Sequence, residues 1–172
     1  GQERKKKIAG LSGADLGKPW VLLSFTSLNL GQPALHQLTQ LSGYELFSVE
    51  PLEWKNSSVH CIARTDVCFA DIMASVDVVV TKPGFGVLSE CIANNKPVIY
   101  TDRIHFREYG VLVKCIEQYC RHAFIPNSAL YAGQLHRALL QIETAPDARE
   151  HIDGGGAALA AREILNRLNA NQ

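Results

Sequence analysis

The sequence has no excess of charge of either sign, because 17 lysines and arginines balance 17 aspartates and glutamates. No sequence-wide field attracts nucleic acid, so a nucleic-acid partner is not expected. No apolar stretch approaches the ~18 residues that a membrane span requires, and the N-terminus lacks the apolar core of a signal peptide. We therefore expect a cytoplasmic protein without a membrane span.

Metal-binding and disulfide patterns of cysteine are also missing. The cysteines are an odd set without a C-x-x-C pair or a histidine at zinc spacing: Cys61, Cys68, Cys91, Cys115 and Cys120. Most lie within apolar runs, which is typical of small buried side chains in a reducing compartment. No metal and no other cofactor are expected.

Two common nucleotide-binding motifs are absent. The loop after the first predicted strand, residues 26–31, lacks the G-x-G-x-x-G pattern of dinucleotide-binding enzymes. The chain also lacks the G-x-x-x-x-G-K-[ST] pattern of P-loop NTPases. An ordinary NAD or FAD enzyme is therefore disfavoured, and a P-loop enzyme is excluded.

What the sequence does contain is an alternation of short apolar strands and periodic helical segments. The clearest strand is the β-branched run that follows Asp77. The predicted strands cover 20–25, 44–49, 58–62, 77–81, 97–101 and 123–125, and the predicted helices run from Pro33 to before Gly43 and over 69–75, about 84–94, 106–119, 128–142 and 156–168. This order predicts an α/β fold, a Rossmann-like doubly wound parallel sheet of about six strands with helices on both faces.

At 172 residues the chain suits one domain. We expect a linker or artificial tail over residues 1–18, including the basic run at 4–7, and a nucleotide-sugar-binding domain over 19–170. The first residue is Gly1 and the sole methionine is Met73, which indicates a fragment of a longer protein. The glycine triplet at 154–156 is interpreted as a flexible lead-in to the last helix, because no buried strand precedes it.

The loop after the fourth predicted strand is the main candidate site. Ligands of doubly wound sheets bind at the carboxyl ends of the strands where the strand order reverses, typically between the first and fourth strands. There Gly84 and Gly86 precede a helix whose N–H groups suit a diphosphate, with Lys82 as an additional cation. A tight turn that needs glycine only for its dihedral angles explains the same residues equally well. Glu90, one turn later, favours the ligand interpretation, because a carboxylate there can accept both hydroxyls of a ribose.

At these residues the sequence resembles the carboxyl-terminal, donor-binding domain of GT-B glycosyltransferases. The resemblance rests on DVVVTKPGFGVLSE at 77–90, on ANNKP at 93–97 and on His105, and it is dense from about residue 69 to 112. It is similar to the family of the peptidoglycan N-acetylglucosaminyltransferase and the UDP-glucuronosyltransferase-like proteins. The nearest likeness is to the glycosyltransferase-like domain that occurs alone in bacteria or fused to some sugar kinases.

The resemblance implies a site for a nucleotide-sugar donor, with a UDP-sugar as the expected ligand. Its implied diphosphate and sugar contacts are Thr26, Ser27, Lys82, Gly84, Phe85, Gly86, Val87 and His105; Glu90 would hold the ribose, and Thr65 and Asp66 would lie at the base. The family transfers a hexosyl group without a divalent metal. Its acceptor-binding N-terminal domain supplies the catalytic base, so the chain by itself is expected to bind nucleotide but to be inactive.

Two departures from the family pattern leave the donor sugar open. Val87 stands where the peptidoglycan enzyme has a threonine hydroxyl, and residues 106–109 replace an acidic or amide pair that grips sugar hydroxyls. Arg103 and Arg107 could instead pair with an acidic sugar or a phosphate. A nucleotide-sugar 2-epimerase and a non-catalytic domain that senses a nucleotide sugar are the alternatives to a transferase.

Overall fold

A computed structural model of the protein describes residues 2–55, 57–152 and 154–169. The strands are β1 (Trp20–Ser24), β2 (Glu45–Val49), β3 (Val59–Ile62), β4 (Val78–Thr81), β5 (Val98–Thr101) and β6 (His122–Ile125). The helices are α1 (Gln2–Ser12), α2 (Gln32–Thr39), α3 (Phe69–Ser75), α4 (Phe85–Ala93), α5 (Tyr109–Tyr119), α6 (Asn127–Tyr131), α7 (His136–Thr144) and α8 (Gly156–Asn169).

The six strands form one parallel sheet in the order β3-β2-β1-β4-β5-β6. β1 lies between β2 and β4, with Val21 opposite both Leu46 and Val78. The direction in which strands are added therefore reverses between β1 and β4, which is the predicted switch point. The predicted α/β class and strand number are confirmed.

Each face of the sheet is buried under helices because side chains alternate along every strand. On one face, Val21 and Leu23 pack with apolar residues of α2, α6 and α7. On the other face, Trp20 and Leu22 pack with apolar residues of α1, α3, α4 and α5. The protein therefore has three layers, with the sheet between two layers of helices. Polar groups lie at the two rims formed by the strand ends.

The N-terminal segment contains a helix that the sequence analysis did not predict. In α1, Ile8 is only 1% exposed and packs in the same core cluster as Trp20. Arg4 of α1 also pairs with Asp71 at 3.0 Å. The helix was missed because its residues are mostly polar and it has a single buried side chain. Gly1 and residue 170, the outer ends of the two expected segments, lie outside the described residues.

The predicted helix over 128–142 is wrong in one respect, since the chain forms two helices there, α6 and α7. Gly133 between them has φ +74°, and a Cβ on it would lie 2.3 Å from the carbonyl oxygen of Ala34. Only glycine fits such a left-handed and crowded position. Gly133 therefore ends α6 in a left-handed conformation, and its missing side chain allows the close approach to α2.

The last helix, α8, has no buried residue. No helix in the described ranges is long and apolar enough to cross a bilayer.

All five cysteines are free: Cys91 and Cys120 are buried, Cys61 and Cys115 are half-buried, and Cys68 is exposed. Burial raises the pKa of the Cys91 and Cys120 thiols to about 12, as expected for packing residues rather than nucleophiles.

Candidate functional site

A cleft of about 840 Å³ opens at the carboxyl ends of the strands, across the switch point between β1 and β4. It is within the size range of small-molecule sites. Its walls come from the loops after β1, β3, β4 and β5, from the end of β2 and from the starts of α3, α4 and α6. The lining residues are Leu23, Ser24, Phe25, Thr26, Ser27, Val49, Arg64, Val67, Phe69, Thr81, Lys82, Gly84, Gly86, Val87, Asp102, Arg103, Ile104 and Asn127.

The cleft is lined by the start of α4, where two residues are glycines and therefore present no side chain. Gly84 precedes the helix with φ −158°, an extended conformation that any residue adopts. Gly86 is exposed, and a Cβ on it would meet no protein atom within 4 Å. Neither glycine is among the left-handed ones, which are Gly13 and Gly133. The fold therefore requires glycine at 86 for neither its dihedral angles nor its packing, and the backbone of α4 is open to the cleft at this position.

Lys82 follows β4 and lies at the edge of the cleft. Its Nζ donates a hydrogen bond to the hydroxyl of Tyr131 at 3.2 Å and lies 5.7 Å from the centre of that ring. These contacts hold the ammonium group but do not neutralise it. Lys82 takes part in none of the ion pairs among the described residues.

Arg103 follows β5 and is held from two sides. Its guanidinium lies 3.5 Å from the centre of the Phe106 ring, and its Nη1 donates to the carbonyl oxygen of Pro83 at 2.6 Å. The same Nη1 is 3.4 Å from the place where a Cβ on Gly84 would be. The loop after β5 and the start of α4 are thereby joined within the cleft.

Arg64 follows β3 and lines the opposite wall. Its Nε donates to the carbonyl oxygen of Glu50 at 2.7 Å, and its backbone N–H donates to the Glu50 carboxylate at 3.2 Å. Both contacts tie the loop after β3 to the loop after β2. Three cationic side chains, those of Arg64, Lys82 and Arg103, thus line the cleft.

Among the residues that the structure describes, Asp102 is the one carboxylate that lines the cleft, and it has a structural partner. Its Oδ2 accepts a hydrogen bond from the backbone N–H of Asn127 at 3.1 Å, and the side-chain oxygen of Asn127 accepts one from Thr101 at 2.9 Å. These bonds fasten the loop after β5 to the start of α6. The balance of formal charge around the cleft remains positive and suits an anionic ligand.

Six of the predicted contact residues lie together around the cleft: Thr26, Ser27, Lys82, Gly84, Gly86 and Val87. The two loops selected from the sequence therefore meet, as the switch-point rule requires. Phe85 lies within the same stretch of chain but is 61% exposed and does not line the cleft.

The structure does not bring the remaining predicted residues to the cleft wall. Glu90 is half-buried on α4, where its Oε2 is 3.5 Å from the side-chain nitrogen of Asn94. Thr65 and Asp66 are exposed and hydrogen-bonded to each other at 3.2 Å, while their neighbours Arg64 and Val67 do line the cleft. Their predicted roles at the ribose and the base stay predictions.

His105 is exposed beside the cleft residue Ile104 and has φ 59°, a left-handed conformation. Histidine adopts this region more often than most residues, but it remains uncommon outside glycine. The conformation turns the chain sharply between Arg103 and Phe106, which allows the side chains of those two residues to stack.

Arg64, Asp102 and Asn127 were not predicted from the sequence. All three come shortly after the ends of strands, as does Arg103, which was predicted only as one of two arginines that could pair with an acidic sugar or a phosphate. Applying the strand-end rule to every strand instead of to β1 and β4 alone would have identified them. Within the described ranges, no group of three or more His, Cys, Asp or Glu residues could hold a metal ion.

No protein-family model and no curated protein sequence matches this chain. Solved structures do resemble it. The calicheamicin glycosyltransferase CalG4 is 16% identical with a TM-score of 0.66, over 90% of this chain and 43% of that one. The glycotransferase of kitacinnamycin is 15% identical with a TM-score of 0.55, over 77% of this chain and 37% of that one.

At this level of identity the likeness establishes the fold. The sheet and its helices correspond to one half of a GT-B glycosyltransferase. The chain spans about two fifths of the length of the two structures that it matches.

Proposed function

We propose that this chain is the donor-binding domain of a GT-B glycosyltransferase, and that its cleft binds a UDP-sugar whose hexosyl group is transferred to an acceptor. The observation that carries the proposal is the position of Gly86, which lines the cleft at the start of α4 and which the fold does not require to be glycine. A donor diphosphate lying against this stretch of backbone accounts for the missing side chain.

The electrostatics of the cleft favour a diphosphate. The first N–H groups of a helix have no partner within the helix, and they carry a partial positive charge of about half an elementary unit. Lys82, Arg64 and Arg103 add three formal charges around the same space, against the one carboxylate of Asp102. A ligand with two phosphate groups matches this distribution better than a neutral sugar does.

The same groups can assist the chemistry. In glycosyl transfer the bond between the sugar and the diphosphate breaks, and negative charge builds up on the departing phosphate oxygen. N–H groups and fixed cations placed beforehand around that oxygen stabilise the transition state more than the ground state. We propose that the base for the acceptor hydroxyl comes from a second domain outside this chain, which by itself binds the donor without transferring it.

Several predicted contacts belong to the proposal as well. Thr26 and Ser27 lie across the cleft from α4 and would face the phosphates and the transferred sugar. Phe85, Val87 and His105 are proposed as further diphosphate and sugar contacts, and Glu90 as the ribose ligand.

A binding module without catalytic activity is the second candidate. One observation favours it, since Val87 presents no hydroxyl to the cleft. Such a module would bind the nucleotide sugar as this proposal describes, but it would not depend on a partner domain for a catalytic base.

The proposal is tested by calorimetric titration of the chain with UDP, with GDP, ADP and TDP in parallel, and by a pair of glycine variants. A Cβ at Gly86 or at Gly110 meets no protein atom within 4 Å, but only Gly86 lines the cleft. Alanine in a helix is more favourable than glycine by about 1 kcal/mol. Gly86→Ala and Gly110→Ala are therefore both expected to fold at least as stably as the unmodified chain.

We expect saturable binding of UDP, weakened about tenfold or more by Gly86→Ala because its methyl group overfills the contact. Gly110→Ala should bind UDP unchanged. Equal affinities of the two variants would contradict the placement of the ligand at α4, and absence of binding to any of the four nucleotides would contradict the donor-binding function. Transfer of a hexosyl group by the full-length protein separates the transferase from the binding module.

A further inference from the structure

Resting on the proposed function, we propose that Arg103 binds the β-phosphate of the donor and thereby makes this site selective for diphosphates over monophosphates. The proposal adds to the site a side chain that the family resemblance does not assign. It rests on the position of the guanidinium, on the contacts that hold it and on the charges around it.

The guanidinium is fixed before a ligand arrives. Its face packs on the Phe106 ring at 3.5 Å, and its Nη1 donates to the Pro83 carbonyl oxygen at 2.6 Å. Arginine has five N–H donors in a planar fork, so this contact leaves others for an oxyanion. A side chain that is already held in place loses less conformational entropy when it binds a ligand.

Gly84 shows where the guanidinium lies relative to α4. A Cβ at this position would lie 3.4 Å from Nη1 of Arg103, which is an ordinary van der Waals distance. The guanidinium therefore rests against the chain just before α4. This places the fork beside the stretch of backbone where the diphosphate is proposed to lie.

The charge of Arg103 is available for a ligand. It takes part in none of the ion pairs among residues 2–55, 57–152 and 154–169. The adjacent carboxylate of Asp102 accepts the backbone N–H of Asn127 instead. Arg107, four residues later, is exposed and does not line the cleft. It therefore carries the same charge as Arg103 but lies outside the cleft.

The experiment compares UDP with UMP, which lacks the β-phosphate, in calorimetric titrations of the unmodified chain and three variants. Arg103→Gln removes the charge and the fork, whereas Arg103→Lys keeps the charge but loses the planar fork and the stacking on Phe106. Arg107→Gln is the matched control for the loss of one positive charge from the same loop.

We expect Arg103→Gln to weaken UDP binding about 10- to 100-fold, in line with charged hydrogen bonds elsewhere, and to change UMP binding by less than about threefold. Arg103→Lys should lie in between, and Arg107→Gln should bind both nucleotides as the unmodified chain does. Unchanged thermal unfolding of the variants shows that the loss arises at the site rather than from the fold.

Two results would overturn the assignment while leaving the proposed function intact. The first is unchanged UDP binding by Arg103→Gln, and the second is an equal loss for UDP and UMP. If the unmodified chain binds no UDP, the proposed function fails, and this assignment fails with it.

Discussion

Charged side chains have different kinds of partner at the two ends of the parallel sheet. At the amino ends of the strands, charged side chains are paired with one another or with the backbone. Asp77 before β4 accepts hydrogen bonds from Lys5 and from the backbone N–H of Trp20, both at 2.8 Å. Glu45 at the start of β2 contacts His60 at 2.7 Å and Lys18 at 3.3 Å.

At the carboxyl ends, three cations line one cleft, and none of them forms an ion pair with a carboxylate in the described part of the chain. Arg64, Lys82 and Arg103 are instead held by carbonyl oxygens, a hydroxyl and aromatic rings. Such partners fix a cation in place without neutralising it. The contrast supports the proposal that the charges of the amino end stabilise the fold, whereas those of the carboxyl end bind an anionic ligand.

The largest expected effect comes from breaking the amino end. Asp77→Ala removes the acceptor of the Trp20 N–H and the partner of Lys5 together. We expect the free energy of unfolding to fall by about 2 kcal/mol, measured by urea denaturation, because a partly buried donor loses its partner. Binding of UDP by the folded variant should be unchanged.

Asp71→Ala is the control for the loss of one negative charge, since it removes the exposed ion pair between Asp71 of α3 and Arg4 of α1. Its expected cost is no more than about 1 kcal/mol. A loss as large as that of Asp77→Ala would show that loss of negative charge, rather than the loss of a specific acceptor, destabilises the protein.

A pair of lysine variants sharpens the comparison between the two ends. The Nζ of Lys96, before β5, donates to the carbonyl oxygens of Ala74 and Val76 at 3.0 and 2.7 Å, and burial lowers its pKa. We expect Lys96→Gln to reduce stability by about 1 kcal/mol without affecting UDP binding. Lys82→Gln should do the reverse, with unchanged stability and UDP affinity lowered about tenfold.

Urea denaturation measures the stability of both lysine variants, and calorimetric titration measures their affinity for UDP. If Lys82→Gln proves destabilising and binds UDP normally, Lys82 is a structural residue and the proposed division between the two ends is wrong.

The smallest expected effect is the pH dependence of Glu45. Burial opposes its ionisation, but hydrogen bonds with His60, Lys18 and the backbone of Asp15 outweigh burial and lower the pKa from 4.5. A carboxylate with a lowered pKa in the folded state contributes stability above its unfolded pKa, and this contribution is lost as the pH falls through the folded value. Glu45→Gln should cost about 1 kcal/mol at pH 7, and the difference from the unmodified chain should shrink below about pH 4.5.

Urea denaturation of both proteins between pH 7 and pH 3 measures that difference. A difference that stays constant over this range would mean that the side-chain charge of Glu45 contributes nothing to stability.

Most of the fold was predictable from the sequence, because each strand is a short apolar run whose neighbours are periodic helical segments. The strand after Asp77 and the helix at Phe69–Ser75 were predicted to within a residue. α1 was not, because a helix with one buried side chain has almost no apolar pattern. The break between α6 and α7 was predictable from Gly133, because a left-handed glycine commonly follows the end of a helix, but the predicted helix ran through this residue.

The candidate site was predictable in part. The switch-point rule predicted that the loops containing Thr26, Ser27, Lys82, Gly84 and Gly86 lie together, since strand ends meet in a parallel sheet, and all five residues line the cleft. The same rule does not say how a side chain on α4 points, and Glu90 lies beside Asn94 instead of on the cleft wall.

The sequence by itself determined the class of fold, the strand order near the switch point and the two loops that meet there, because these follow from local periodicity and from the topology of parallel sheets. Only the tertiary structure decided which charges are neutralised and which remain free. That outcome depends on contacts between residues far apart in the chain, such as Lys5 with Asp77 and Arg103 with Pro83. Ion pairs and hydrogen bonds form over a few ångströms, and sequence distance carries no information about such contacts.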